Sequence, residues 1–215
     1  MTLKWLQAVI LAALGTFGAA AQTAGTADVQ PSGQAAPVED PTYQPMTGKE
    51  RFDWFVKGTV GPESLAMGVV TAGIGTARDT PPEYGSHWEG FGERYGIRLS
   101  AVGTEKAMEA SLGAMWGEDP RYFRVPGEPF NSRMKHILAM TFMARRPDGD
   151  LMPAYARYMA VPGSSFLSNT WRVDSDANTH DAAMRTMWGF ASVIGSNAFK
   201  EFWPDIKTHL FHRKK

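Results

Sequence analysis

The chain has 215 residues, with 22 Lys and Arg residues against 22 Asp and Glu residues, and it contains no cysteine. The balanced charge excludes a nucleic-acid binder of the usual kind, which gathers a basic surplus on one face. The lack of cysteine excludes disulfides, thiolate catalysis and Cys-ligated zinc. The chain must therefore gain its stability from an apolar core or from a membrane.

The first 21 residues predict a secretory signal peptide. Lys4 precedes an apolar run over Trp5–Phe17, and Ala19–Ala21 supplies a small-residue cleavage site. The alternative is an uncleaved anchor helix, although the run is shorter than the roughly 20 residues that a membrane span requires. We therefore expect an exported protein, located in the periplasm or the outer envelope.

Residues 22–47 predict a flexible linker, because this Ala-, Gly-, Gln- and Pro-rich segment cannot bury enough apolar surface to offset its ordering entropy. Residues 48–215 predict one domain, an all-α, Gly-rich multi-helix bundle. Its first helix starts with a capping box, formed by Thr47 and Glu50. Helices are expected over residues 49–57, 63–77, 83–117 with a bend at Gly103, 130–142, 153–158, 164–171 and 178–203, with a polar turn over 145–150 and breaks at Pro162-Gly163 and Pro204.

One helical stripe alternates glycine with large apolar residues: Gly85, Trp88, Gly92, Tyr95, Gly96, Leu99 and Gly103. A helical glycine costs about 1 kcal/mol relative to alanine, which is tolerated where backbones approach closely. We therefore expect Gly92 and Gly96 to lie on a tight helix contact, where leucine would destabilise by about 1–3 kcal/mol. Such packing fits either a membrane-associated assembly or a soluble bundle with close crossings.

The tryptophans favour the membrane-associated alternative. Those near predicted helix ends suit a bilayer interface, where amphipathic rings collect: Trp54, Trp88, Trp116, Trp171 and Trp203. Trp188 lies inside a predicted helix and is expected in the core. The competing interpretation places all six of these tryptophans in an ordinary core, since aromatic rings supply much of the apolar area of any domain.

Candidate catalytic residues are few. His87, Glu89 and Glu93 lie within two turns of a predicted helix and offer an acid/base pair or a few metal ligands. Neither HExxH nor a paired ExxH motif is present, so the sequence predicts no metal site and no cofactor. A solvated helix face explains these three residues more simply, and the same holds for Glu105 and Glu109, which flank Lys106.

The loop over residues 116–124 carries the densest set of charges. Asp119, Arg121, Tyr122 and Arg124 are candidate ligand-binding residues, because exposed guanidinium groups bind phosphates or carboxylates bidentately. The alternative is a network of ion pairs that braces the loop. We expect the brace, since carboxylates and guanidinium groups are equal in number here.

Four short motifs resemble those of a family of uncharacterised exported bacterial proteins. They are GFGERYG at Gly90–Gly96, DPRYF at Asp119–Phe123, SNTW at Ser168–Trp171 and NAF at Asn197–Phe199. The resemblance covers most of residues 48–215. It implies a bacterial envelope domain and carries no activity, cofactor or site assignment with it.

The preferred function is therefore that of a non-enzymatic, membrane-associated envelope protein with a structural or interaction role. Membrane or envelope components are the expected partners, a homo-oligomer is a further possibility, and nucleic acid is not expected. The alternative is a periplasmic hydrolase that acts on lipid or cell wall through His87 with Glu89 or Glu93, or through Glu118 and Asp119.

Overall fold

The computed structural model describes residues 43–211, with side chains described up to Thr208. The helices are α1 (Gly48–Val60), α2 (Pro62–Ala77), α3 (Trp88–Trp116), α4 (Phe130–Phe142), α5 (Tyr155–Leu167) and α6 (Thr179–Phe211), with a hairpin of β1 (Met143–Arg145) and β2 (Leu151–Pro153) and short 3-10 turns at Pro82–Tyr84 and Ser168–Thr170. The predicted all-α class is confirmed. The predicted signal peptide and nearly all of the predicted linker lie outside the described residues.

Local sequence signals set several helix ends. The capping box is present at α1, where the Glu50 amide donates to Thr47 Oγ1 at 3.2 Å and the Thr47 amide donates to Glu50 Oε2 at 2.8 Å. Pro62 opens α2 at a position where its missing N–H costs nothing. Gly117 ends α3 in the left-handed conformation, with φ of 72°.

Three predicted breaks are absent. Helix α3 continues through Gly103, α5 continues through Pro162, and α6 continues through Pro204. A helical proline loses one backbone hydrogen bond and crowds the preceding turn. The packing of α5 against α3 and α6, and of α6 against α4 and α5, outweighs that local cost. Helix α3 also begins at Trp88 rather than at residue 83, because residues 82–84 form a 3-10 turn.

The hairpin was not predicted, although the polar turn inside it was. Strands β1 and β2 pair antiparallel, with Met143 opposite Pro153, and the Arg146 amide closes the turn on the Asp150 carbonyl at 2.8 Å. The Asp119 amide donates to the Arg145 carbonyl at 2.8 Å. The hairpin thus fixes the loop that follows α3.

Helix α3 lies at the centre, packed against α1, α2 and α5, while α6 covers α4 and α5. The buried apolar side chains of the described residues are mostly small: Ala72, Ala110, Ile137, Met140, Ala144, Met152, Ala154, Ala156, Ala160, Val161 and Ala182. Among the described residues, no helix combines the length and apolar character that a bilayer crossing requires.

The predicted glycine contact at Gly92 and Gly96 is wrong. Within the part of the chain that the structure describes, a Cβ atom built at either position would meet nothing within 4 Å apart from the neighbouring backbone of its own helix. The close approach lies at Gly90 instead, where a Cβ would collide with the carbonyl oxygens of Tyr84 and Gly85. The buried Arg94 fixes the same turn by donating to the Gly85 carbonyl at 2.6 Å.

Candidate functional site

Charged side chains occupy the interior of the bundle. Glu109 is 1% exposed, and it accepts hydrogen bonds from Lys106 Nζ at 2.9 Å and from Arg157 Nε at 2.8 Å. Burial by itself raises the pKa of Glu109, but the two cations lower it to about 2. The expectation of a solvated face at Glu109 is therefore wrong, because its carboxylate lies buried between Lys106 of α3 and Arg157 of α5.

The polar side chains of the loop after α3 contact two different parts of the protein. Asp119 is 2% exposed. Its carboxylate accepts hydrogen bonds from Arg121 Nη2 at 2.6 Å and from the Tyr43 hydroxyl at 3.1 Å. Burial, followed by the Asp119 charge, raises the pKa of Tyr43 to about 12. Arg121 is thereby committed to an intramolecular partner.

Tyr122 and Arg124 point to a different element. The Tyr122 hydroxyl donates to Glu201 Oε2 at 2.8 Å, and Arg124 Nη2 donates to the Glu201 carbonyl at 2.9 Å. Glu201 is fully buried, and Arg133 Nε donates to its carboxylate at 2.7 Å. Burial raises the pKa of Glu201, but hydrogen bonds from Tyr122 and Arg133 bring it below its usual value. The four candidate residues of the loop thus do not form one common site.

The sequence analysis did not predict the buried positions of Arg51, Glu118, Arg157 and Glu201. It also did not predict that Arg133, 11% exposed, pairs with Glu201. For Glu201, the sequence does contain a pattern that indicates its inward position. Phe190, Ile194, Asn197 and Glu201 follow one another at spacings of four, three and four residues, which places them on one helix face. The buried positions of Asn197 and Glu201 show that this polar end of the stripe turns inward.

The three candidate catalytic residues lie on the surface. His87 precedes α3, and it is exposed together with Glu89 and Glu93 in the first turns of that helix. Within residues 43–211, no group of three His, Cys, Asp or Glu side chains is arranged to hold a metal ion. None of the three residues lines either of the two cavities described below.

A cavity of about 480 Å³ opens between α1, the end of α3 and the hairpin turn. Its lining is mainly apolar, with charged groups from Arg51, Glu118 and Asp119. The apolar part includes Tyr43, Pro45, Met46, Phe52, Ala114 and Pro147. A second, shallower cavity of about 420 Å³ is lined by Trp116, Met152, Tyr155, Tyr158 and Met159.

The outer face of α6 carries exposed large apolar side chains in two groups, over residues 184–188 and 199–206, with the small residues Ala191, Ser192 and Gly195 exposed between them. Its exposed large side chains are Met184, Met187, Trp188, Phe199, Trp203 and Ile206. Trp188 is 67% exposed, so the prediction that it belongs to the core is wrong. Phe199 and Trp203 stack with ring centroids 5.1 Å apart, which makes part of this face a continuous aromatic surface.

Comparison of the chain with known proteins finds no matching family model, no matching curated protein and no matching solved structure. The geometry of the described residues is therefore the basis for a functional proposal. Two features stand out in it: the apolar outer face of α6 and the second cavity, beside Trp116.

Proposed function

We propose that this protein is an exported envelope protein that binds a membrane surface through the outer face of α6. The observation that carries the proposal is the polarity of this helix. Asn197 and Glu201 are buried, whereas Trp188 and Trp203 are exposed. A surface helix of a protein in water has the opposite arrangement, with its charged residues outside.

The size of the apolar face supports lipid as the partner. From Met184 to Ile206 the face extends for about 33 Å, at roughly 1.5 Å per residue. Burying one large apolar side chain contributes roughly 1.5–3 kcal/mol, so a few of them are enough for surface attachment. Exposed apolar areas of this extent mark interaction surfaces.

One charge on α6 suits the same orientation. Lys207 is exposed on this helix. Its apolar stem can lie along the surface while the ammonium group reaches lipid headgroups. Because the whole chain carries 22 basic and 22 acidic residues, the apolar contact rather than net charge supplies most of the attachment energy in this proposal.

Vesicle flotation tests the proposal. We expect the protein to float with neutral phosphatidylcholine vesicles, and the double variant Met187→Gln/Trp188→Gln to lose at least tenfold in vesicle affinity. The matched control is Trp88→Gln, because Trp88 is 82% exposed but lies at the start of α3. This control should float like the parent.

Two outcomes contradict the proposal. A parent protein that stays at the bottom of the gradient has no affinity for lipid. A double variant that floats as well as the parent shows that attachment does not use α6.

A further inference from the structure

The second cavity, of about 420 Å³, is lined by aromatic rings and methionine side chains. Trp116 comes from the end of α3, and Tyr155 and Tyr158 come from the first turn of α5. Met152, which is buried, and Met159, which is exposed, complete the lining. Among the described residues, no charged side chain lines this cavity, so ring faces and thioethers determine what it binds.

The three rings stand at right angles to one another in pairs. Trp116 and Tyr155 have ring centroids 6.5 Å apart and an interplanar angle of 82°, and Tyr155 and Tyr158 have centroids 6.3 Å apart and an angle of 89°. Two perpendicular rings that both face one point from about 4.5 Å, within cation–π reach, have centroids about 6.4 Å apart. Edge-to-face packing gives similar distances, but these three rings also line one cavity. They therefore have the spacing of adjoining walls of an aromatic cage.

Contacts within the protein hold these walls in place. The Tyr158 hydroxyl donates to the Phe142 carbonyl at 2.5 Å, and the Tyr158 ring lies against Phe190, with ring centroids 6.3 Å apart. Tyr155 and Trp116 are 50% and 43% exposed, so both leave surface open to a ligand. A site whose side chains are already positioned loses less entropy when it binds.

The charges beneath the cavity are balanced. The N-terminus of α5 by itself repels a cation at this position. However, the buried Glu118 carboxylate accepts the Ala156 amide with both of its oxygens at 3.1 Å, and this negative charge offsets the helix dipole next to Tyr155. Arg157 is also buried, and it pairs with Glu109 at 2.8 Å. A cation in the cavity therefore meets little net repulsion from the first turn of α5.

We propose that this cavity binds a quaternary ammonium group, such as that of choline, with the N-methyl groups against the ring faces of Trp116, Tyr155 and Tyr158. This cation has no N–H group, so it needs no hydrogen-bond acceptor from the lining, whereas a primary ammonium loses its water partners there without replacement. Aromatic cages are a common means of recognising quaternary ammonium ligands. The five lining residues lie outside α6, so the site does not depend on membrane attachment.

Proton NMR of choline tests the proposal, because aromatic ring currents move the N-methyl resonance upfield when the methyl groups lie over a ring face. Titration with the full chain should give an upfield shift that saturates. The neutral isostere 3,3-dimethylbutan-1-ol has the shape of choline without its charge, and ethanolamine has a charge without the methyl groups. Each should bind at least fivefold more weakly than choline.

Variants of the exposed ring identify the site. Tyr155→Leu should lower choline affinity at least fivefold, because leucine fills space but has no ring face. Tyr155→Phe is the matched control, since it keeps the ring and should bind choline like the parent. If Tyr155→Leu does not fold, Trp116→Leu replaces it with the same expected loss. Met187→Gln/Trp188→Gln should also bind choline like the parent, which separates this site from the outer face of α6.

Vesicle flotation identifies the source of the quaternary ammonium group. If Tyr155→Leu weakens flotation with phosphatidylcholine vesicles but not with phosphatidylglycerol vesicles, the cavity binds the lipid headgroup. If flotation with both is unchanged while choline affinity falls, the ligand is a soluble quaternary ammonium compound. A parent that does not float contradicts the membrane proposal alone, since the choline titration involves no vesicles.

Equal affinity of the parent for choline and for 3,3-dimethylbutan-1-ol would overturn the proposal, because the cavity would then bind apolar groups of this size without recognising the charge. The proposal is also wrong if the parent causes no upfield shift, or if both Tyr155→Leu and Trp116→Leu bind choline like the parent.

Discussion

At the scale of single residues, Glu109 is the carboxylate on which the α3–α5 contact depends. Replacing it with glutamine leaves Arg157, 5% exposed, and Lys106 without their shared countercharge. We expect Glu109→Gln to lower the free energy of unfolding by about 3 kcal/mol, the scale for breaking one side of a buried pair. Urea denaturation at pH 7 measures this loss.

Glu105→Gln is the matched control, because Glu105 also pairs with Lys106, at 3.2 Å, but is 20% exposed. We expect it to cost less than about 1 kcal/mol. Equal losses of unfolding free energy in the two variants would show that the burial of Glu109 does not increase its contribution to stability.

The pKa of Glu109 gives the same carboxylate a pH signature. Its native pKa of about 2 lies below the ordinary value of 4.5, so its stabilisation is complete above about pH 4.5 and is lost as pH falls towards 2. The parent should therefore lose more stability over this range than Glu109→Gln does. Parallel curves of unfolding free energy against pH would contradict the assignment.

Residue partners are also where sequence reasoning reached its limit. Tyr122 and Glu201 are 79 positions apart, yet the hydroxyl of one donates to the carboxylate of the other. The loop sequence predicts that Arg121 has an acidic neighbour, and Asp119 is that neighbour. No local pattern predicts that Arg124 turns instead to the Glu201 carbonyl, because that contact depends on how α6 folds back.

At the scale of elements, the sequence predicts helix ends correctly where nearby residues supply the hydrogen bonds of the terminal backbone groups. The capping box at Thr47 and the left-handed Gly117 are examples, since their hydrogen bonds are made within one turn. The predicted helix breaks at Pro162 and Pro204 are wrong, because they take into account only the backbone hydrogen bond that a helical proline loses. Buried residues of α5 such as Ala160 and Val161 pack against other helices, and this packing outweighs the loss.

The glycines of α3 provide an element-scale prediction. Gly90→Ala should destabilise by about 1–3 kcal/mol, because its Cβ would strike the Tyr84 and Gly85 carbonyls, which are backbone atoms and cannot rotate away. Gly92→Ala should instead stabilise by up to about 1 kcal/mol, since alanine is the better helix former and the space is open. Thermal unfolding of both variants measures the contrast.

A loss of stability in Gly92→Ala comparable to that in Gly90→Ala would mean that another surface covers this side of α3. Gly96→Ala serves as the repeat of the test, because its Cβ would also meet nothing within 4 Å.

At the scale of the whole molecule, polarity is distributed in an unusual way among the described residues. Ion pairs such as Arg157–Glu109 and Arg133–Glu201 fill interior space, while large apolar side chains such as Met187 and Phe130 are exposed. Composition and helical spacing predict the helices but not this inversion, because a stripe of apolar residues looks the same whether it faces a core or a membrane. Trp188 is expected in the core because it lies inside a predicted helix, but position along a helix does not decide which side faces the core.

The exposed indoles make the inverted polarity measurable without any mutation. Trp88, Trp188 and Trp203 are 82%, 67% and 42% exposed, so acrylamide should quench much of the tryptophan emission of the protein in buffer. Adding phosphatidylcholine vesicles should shift the emission to shorter wavelength and reduce the quenching, because indoles of α6 would enter the interfacial region.

Dimerisation is the alternative to lipid binding, because a second copy of the chain could cover the same face of α6. The dependence of acrylamide quenching on protein concentration distinguishes the two. Dimerisation would reduce quenching as protein concentration rises, with no vesicles present. Lipid attachment predicts quenching that is independent of protein concentration and falls only when vesicles are added. Quenching that is low under every condition would contradict the exposed α6 face itself, since the indoles of Trp188 and Trp203 would then already be shielded.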